Sequence, residues 1–386
     1  MVTKIHLGLT DVSSDVRVFV VHAGKQKKRL KSFLDLDQIF LDLPGLRLSE
    51  NVLDDADTLS RHILMSEAIS DWRRSERNEG KSLPAPSRTP SEYALPNKPK
   101  DLHRVGYKRT AVHRFFNEIS KGDIVIVPGS TPYEPFWAGW VAHDADVSKT
   151  LTLGDFLGDP FPAREVKWIS HNTTKRQLSD SLAKQLEKSH VVTEIDLNLF
   201  ADEIFTNLFG TYVYKNRGGI DIHCPRYRGK NPLETVDVQE LIAFFVANYE
   251  ICHGQIASEF DIGSVSESGF RKIIQNYYDE SAVLSLQQEF HSPGFYRIVS
   301  GSRELVYVLA FGIALTTSGC YDSQTVNTAE ATASEADDAK LTTDEMRRLM
   351  GPMMKHISKS AIEEANQKGR NAQKELGVNT RTRVSR

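Results

Sequence analysis

Phe136–His143, FWAGWVAH, follows Lys121–Pro135, KGDIVIVPGSTPYEP, and these two segments decide how the first half of the chain is read. A β-branched run ends in a Pro-Gly turn, two further prolines follow, and a Gly-centred aromatic run takes the chain back. Strand, turn and returning strand is the pattern of a small antiparallel unit. Strict alternation along the second strand puts Trp137, Gly139 and Val141 on one face and Ala138, Trp140 and Ala142 on the other. One tryptophan therefore enters the core whichever way the strand is turned.

Further strands read outward from this pair. Val16–Gly24, VRVFVVHAG, is β-branched and bounded by Gly, and IFLDL ends at Pro44-Gly45. REVKWI begins at Arg164, and HVVTEI follows a helix with Leu178, Leu182 and Leu186 at four-residue spacing. Helical spacing runs from Asn51 to Arg77, and a second helix, rich in His, Lys and Arg, precedes Gly122. Residues 78–100 carry five prolines and read as a flexible insert.

A second unit begins near Gly210. TYVYKNRGGIDIHCPRY reads as a hairpin turning at Asn216–Gly219. DVQELIAFFVANYEICHGQIA and RKIIQNYYDESAVLSLQQEF read as helical, and GFYRIVS as a strand. Leu305–Thr317 is a buried core helix, shorter than the roughly 20 residues that span a bilayer. Residues 321–340 read as an acidic, disordered linker and 341–386 as a short helix with a basic tail. The fold expected is α+β, with domains at 1–200 and 205–320.

The bulk numbers exclude a global charge argument. The 386 residues carry a formal net charge of −3, so any polyanion must meet a local patch. Three cysteines (Cys224, Cys252, Cys320) and a start without a basic, then apolar run fit a reducing, cytoplasmic setting with no membrane anchor. His223-Cys224 and Cys252-His253 are adjacent pairs, whereas zinc ligands are usually spaced two to four apart, so neither pair reads as a zinc site. No phosphate-binding or nucleophile-elbow motif occurs.

The order of segments through residue 196 resembles the N-terminal domains of Mrr-type restriction proteins, which are similar to small PUA/EVE β-barrels. The matching residues are Phe19, Ala23 and Gly24; Lys121, Gly122 and Asp123; Gly139; and Arg164, Val166, Lys167 and Trp168. The resemblance implies a small barrel with flanking helices, followed by a mixed, mostly helical domain. It also implies DNA binding, including modified bases, in a bacterial anti-phage or restriction system.

The residues themselves are compatible with that function. Tyr133, Phe136, Trp137, Trp140 and Trp168 would wall a base, and Arg164 and Lys167 would meet phosphate. The densest basic run, KQKKRLK, offers Lys25, Lys27, Lys28 and Arg29 for phosphate contact, although a solvated turn explains it equally well. In the second unit, Gly218-Gly219-Ile220-Asp221 resembles the segment whose Asp holds a metal ion in Mrr-type nucleases. The Gln-x-Lys that should follow is missing. Asp221 would be the catalytic residue of a Mg²⁺-dependent nuclease only if Glu203, Glu234 or Glu240 joined it. Otherwise Asp221 is a solvated residue of a hairpin. A third alternative is a non-catalytic scaffold that docks a protein partner through Met346, Leu349, Met350, Met353 and Met354, although at helical spacing these side chains dock equally well on the protein's own core.

Overall fold

The computed structural model describes residues 3–79, 84–156, 158–169, 173–188, 190–229, 231–253, 269–289, 294–332, 343–380 and 382–385. Helices and strands mix throughout, and two compact units emerge: residues 15–201, and residues 1–14 together with 202–386. The first strands, β1 (Lys4–His6) and β2 (Thr10–Val12), thus belong with the later unit and not, as the sequence suggested, with residues 15–201. They are short because pairing, not local pattern, defines them. β1 lies between two strands formed more than 300 residues later.

The unit of residues 15–201 is built on one sheet. In chain order it comprises β3 (Val18–Val21), α1 (Leu30–Asp35), β4 (Gln38–Phe40), α2 (Glu50–Asp54), α3 (Ala56–Glu79), α4 (Pro99–His113), β5 (Ile124–Val127), β6 (Trp137–Val141), β7 (Thr150–Leu151), β8 (Phe161–Ile169), α5 (Asp180–Leu186) and β9 (Val192–Ile195). The strands order as β4-β8-β6-β5-β3-β9, with β7 also on β8. Among the described residues β4 and β9 end the sheet and do not pair, so it is open and no closed barrel forms.

β3 and β5 run parallel, and every residue of both is buried. Such strands read as continuous Val/Ile runs because both faces are covered. Phe19, Val21, Val125 and Val127 pack with Leu59 and Ile63 of α3 and Val112 of α4. The single helix read from Asn51 to Arg77 is two: Asp55 breaks it, and its carboxylate accepts from Asp57 N (2.9 Å) and Thr58 N (3.2 Å) to cap α3. Of the insert expected over 78–100, residues 78–79 end α3, residues 84–98 are described as a connection and 99–100 open α4. Arg88 fastens the connection by pairing with buried Asp159 (Nε–Oδ1 2.9 Å).

α6 (Leu197–Phe209) runs from one unit into the next. There β10 (Tyr212–Tyr214) and β11 (Arg217–Cys224) form a hairpin, but it turns at Lys215-Asn216, with Lys215 at φ 54°, rather than at Gly218-Gly219. Those glycines lie in β11, where a Cβ would meet Tyr212 O at 2.4 Å and the Tyr212 ring at 2.6 Å. α7 (Val236–His253) and α8 (Phe270–Tyr277) follow, and then β12 (Val283–Glu289) and β13 (Gly294–Ser300). β12 corrects the helical reading of that stretch: VLSLQQE pairs antiparallel along its length with β13, which holds it extended. The sheet order is β12-β13-β11-β10-β2.

α9 (Arg303–Thr317) is buried through Leu305–Thr316 and packs on α7 and on both C-terminal helices, which also touch α7. Two glycines permit the approach. A Cβ on Gly312 would stand 2.3 Å from the Phe245 ring, and one on Gly369 would stand 2.4 Å from Thr316 backbone. The linker expected over 321–340 is ordered where described: α10 (Ser323–Thr328) is capped by Asp322, and β14 (Glu330–Thr332) pairs with β1. Residues 333–340 lie outside the described residues.

The expected short helix and tail are instead α11 (Thr343–His356), α12 (Lys359–Leu376) and β15 (Arg383–Ser385). Met346, Leu349, Met350, Met353 and Met354 are all buried in this unit's own core, so they do not form the exposed partner surface considered above. No helix among the described residues is long and apolar enough to cross a membrane.

Candidate anion-binding cavity

The chain leaves β3 through a strained basic turn. Gly24 takes φ 72°, and Gln26 and Lys27 follow at φ 55° and 56°. Two consecutive side-chain-bearing residues in the left-handed region cost roughly 1–2 kcal/mol each, so the surroundings must hold them. Arg29 does much of that work. It is buried over the rings of Phe156 and Phe161, and its Nε donates to Asp42 Oδ1 (3.0 Å). Arg29 therefore anchors the turn and is not a phosphate ligand. Lys28 also reaches Asp42, Nζ to Oδ2 3.0 Å.

Beside the turn lies a cavity of about 530 Å³, inside the range usual for small-ligand pockets. Its walls come from the turn, from α3, from α4 and from residues 187, 188 and 191. Six cations (Lys25, Lys27, Lys28, Arg74, Lys108, Lys188) line it against three carboxylates (Asp42, Glu67, Glu187). The carboxylates are already engaged: Asp42 as above, Glu67 by Lys108 (2.7 Å) and Arg104 (3.2 Å), and Glu187 by buried Lys175 (3.3 Å). Lys25 and Lys188 form no ion pair among the described residues, while Lys27 meets His22 Nδ1 and feels the charge of Glu187. Leu41, Leu43, Ala111 and Val191 make the apolar part of the wall.

Two polar groups shape the interior. His22 Nε2 must donate to Lys188 O (2.6 Å), because a carbonyl only accepts, so the neutral ring offers bare Nδ1 to the Lys27 ammonium. Burial, reinforced by the Lys27 charge, holds the His22 pKa down at about 4. Burial and then Lys175 bring Lys27 down to about 8, against the opposing pull of Glu187. Ser66, fully buried on α3, has an Oγ without a hydrogen-bond partner and lines the same cavity. An unsatisfied buried hydroxyl calls for an explanation.

The aromatic residues do not converge there. None of Tyr133, Phe136, Trp137, Trp140 and Trp168 lines this cavity. Phe136 is buried at 3 % exposure and cannot stack on a base. Trp137 and Trp168 pack against the core, Trp168 lying across the strand from Gly139. Trp140 takes the opposite face with exposed Lys167 as its cross-strand neighbour. Tyr133 is 71 % exposed, with the Arg176 guanidinium 5.5 Å from its ring centre.

Arg164 is not a phosphate ligand either. It is 3 % exposed and donates to Phe115 O (2.9 Å), Ile119 O (2.6 Å) and His143 O (2.9 Å). It caps the carbonyls where the helical run after α4 ends. The basic side chains of the helical run before Gly122 are also partly consumed, Arg104 and Lys108 by Glu67 and Arg114 by Glu118 and Val192 O.

In the other unit Asp221 is neither solvated nor open to a metal. It lies opposite Arg297 of β13, which takes both carboxylate oxygens, Nε–Oδ1 3.0 Å and NH2–Oδ2 3.2 Å. Glu240 is bound by Lys368 and Arg271, and Glu203 supplies a backbone acceptor to Asn207. Burial pushes the thiols of Cys224 and Cys252 up to about 12, which keeps them protonated. Among the described residues no three His, Cys, Asp or Glu side chains gather as a metal site.

No protein-family model, curated protein or solved structure matches the chain.

The sequence exposed the Lys25–Arg29 run, but gave no sign of His22, Ser66, Glu67 or Lys188 as its neighbours.

Proposed function

We propose that residues 15–201 bind nucleic acid, with the phosphate chain meeting the cations gathered around the Gly24–Arg29 turn. The observation that carries this reading is the excess of six lysines and arginines over three carboxylates around one cavity, in a protein whose overall charge is −3. Lys25 and Lys28 are exposed at its edge, where they can exchange counterions for phosphates. Exposed Tyr133 under Arg176, and Trp140 beside Lys167, offer further places for bases to stack on a single strand.

The resemblance to Mrr-type proteins supports DNA as the polymer and a bacterial restriction or anti-phage system as the setting. Mg²⁺-dependent cutting through Asp221 is not part of the proposal, because Arg297 already holds that carboxylate. The later unit, with its large buried core, acts in this reading as an assembly or effector body.

Binding of labelled 20-nucleotide single strands and duplexes, followed by anisotropy across added salt, tests the proposal. The logarithm of affinity should fall with the logarithm of salt at a slope of about −3, in keeping with three or four phosphate contacts. Lys25→Glu with Lys188→Glu should reduce that slope by about 2. Absence of binding at low salt, or a slope untouched by the double substitution, would remove the proposal.

A further inference from the structure

The cavity differs from a simple basic surface in three ways. It is a volume of about 530 Å³, bounded by the turn and two helices, with an apolar wall. It presents Lys25 and Lys188 outside any ion pair among the described residues, with Lys27 held by His22. At its wall a fully buried serine hydroxyl, Ser66 Oγ, is left without a hydrogen bond. A polymer running over the surface would neutralise exposed lysines, but it would not reach Ser66.

We infer that this cavity holds a single nucleotide through a phosphomonoester, with the phosphate against Lys25, Lys27 and Lys188 and the sugar or base reaching Ser66. The inference rests on the anionic-ligand reading of the cavity given above and narrows its chemistry. A phosphomonoester carries about −1.5 to −2 charge at neutral pH, whereas each phosphodiester inside a strand carries one. Three ammonium groups around one open-mouthed concavity suit the more highly charged group, which is terminal and can enter without bringing a chain on both sides. Leu41, Leu43, Ala111 and Val191 provide surface for the less polar part of the ligand. Ser66 can donate or accept, so it serves a sugar hydroxyl or a base edge equally. The left-handed pair Gln26–Lys27 gains a purpose as well: it turns the Lys27 side chain to His22 and to the cavity instead of letting it extend into solvent.

The phosphomonoester has two sources, a free mononucleotide and the 5′-phosphorylated end of a strand. Calorimetry on the full chain in low salt, with the nucleoside 5′-monophosphates, the matching nucleosides and inorganic phosphate, tests the site without any substitution. At least one monophosphate should bind about tenfold or more tightly than its nucleoside and than inorganic phosphate, the ratio expected of one charge-assisted contact set. Ser66→Ala, checked for an unchanged melting temperature, should weaken the monophosphate and leave inorganic phosphate unaffected. Lys27→Met, which keeps the side-chain stem, should weaken both.

Anisotropy with 5′-phosphorylated and 5′-hydroxyl strands then assigns the source. A preference for the phosphorylated end, competed by the monophosphate, supports the strand end; monophosphate binding without that preference supports the free nucleotide. Inorganic phosphate binding as tightly as every nucleotide overturns the inference. So does strand binding that ignores the 5′ group while no monophosphate binds, and this result leaves the nucleic-acid proposal standing. Monophosphate binding with no salt-dependent strand binding does the opposite.

Discussion

Asp221 and Arg297 face each other across β11 and β13 as a two-bond ion pair, 3.0 and 3.2 Å, with the carboxylate 5 % exposed. Removing one partner leaves the other charge buried alone, which costs about 3–5 kcal/mol. Arg297→Met should therefore destabilise the protein by about that amount, and Asp221→Asn combined with Arg297→Met by clearly less than the sum of the single changes. Denaturant melts of the four proteins provide the cycle. Additive losses would mean that the pair is not coupled.

Arg164 separates structural from binding roles for a basic residue. Arg164→Ala strands three carbonyl acceptors and should cost roughly 3 kcal/mol of stability. Affinity for nucleic acid, measured per folded molecule well below the melting temperature, should change by less than about twofold. A large affinity loss at full folding would restore Arg164 as a phosphate contact.

The His22–Lys27 pair sets a pH signature. The folded His22 titrates at about 4 against 6.5 for the ordinary ring, so between these values the unfolded chain binds more protons and stability falls as pH falls. Folded Lys27 titrates at about 8 against 10.5, so between 8 and 10.5 the unfolded chain again binds more protons and stability rises with pH. Groups facing the pair are Lys175, Glu187 and the Lys188 carbonyl. His22→Gln should flatten the acid limb of melting temperature against pH, and Lys27→Met the alkaline rise. Unchanged limbs in both variants would show that other groups set the profile.

Two helical glycines should respond in opposite senses. Gly369→Val drives a side chain into Thr316 of α9 and should cost about 3 kcal/mol or prevent folding. Gly106→Ala in α4 meets nothing within 4 Å and should stabilise by about 0.5–1 kcal/mol. Thermal melts of both variants check the contrast.

Tyr133, exposed and topped by Arg176, should matter to single strands more than to duplexes. Tyr133→Ala is expected to weaken single-strand binding by about 1–3 kcal/mol, the usual worth of one stacked base, and duplex binding by much less. Equal losses on both would place the ring on the sugar-phosphate chain instead.

Much of the central sheet was legible because its strands announce themselves locally. β3, β5 and β6 are β-branched or alternating runs between turn residues; β5 and β6 fall within a residue or two of the expected ends, while β3 keeps only Val18–Val21 of the run expected over 16–24. β12 was missed because its alternation is brief and follows amphipathic α8; only its antiparallel pairing with β13 makes it a strand. β1, β14 and β15 are three residues each and exist through one another. In the cavity the lysine run was visible, but burial reversed the parts given to Arg29 and Arg164. A guanidinium near carbonyls and rings reads in sequence like one near solvent. Ser66 carried no signal, since its meaning lies in a missing partner.

The three-stranded sheet made by residues 4–6, 330–332 and 383–385 has a consequence for how the molecule is born. A ribosome delivers β1 before residues 15–201 and both of its neighbours after them, so that strand must wait, unpaired, while the inserted unit, a guest, is made between the two parts of its host. Translation order thus favours the guest, and replacing it with a short bridge should spare the host, whereas clipping a few residues from the far end should not.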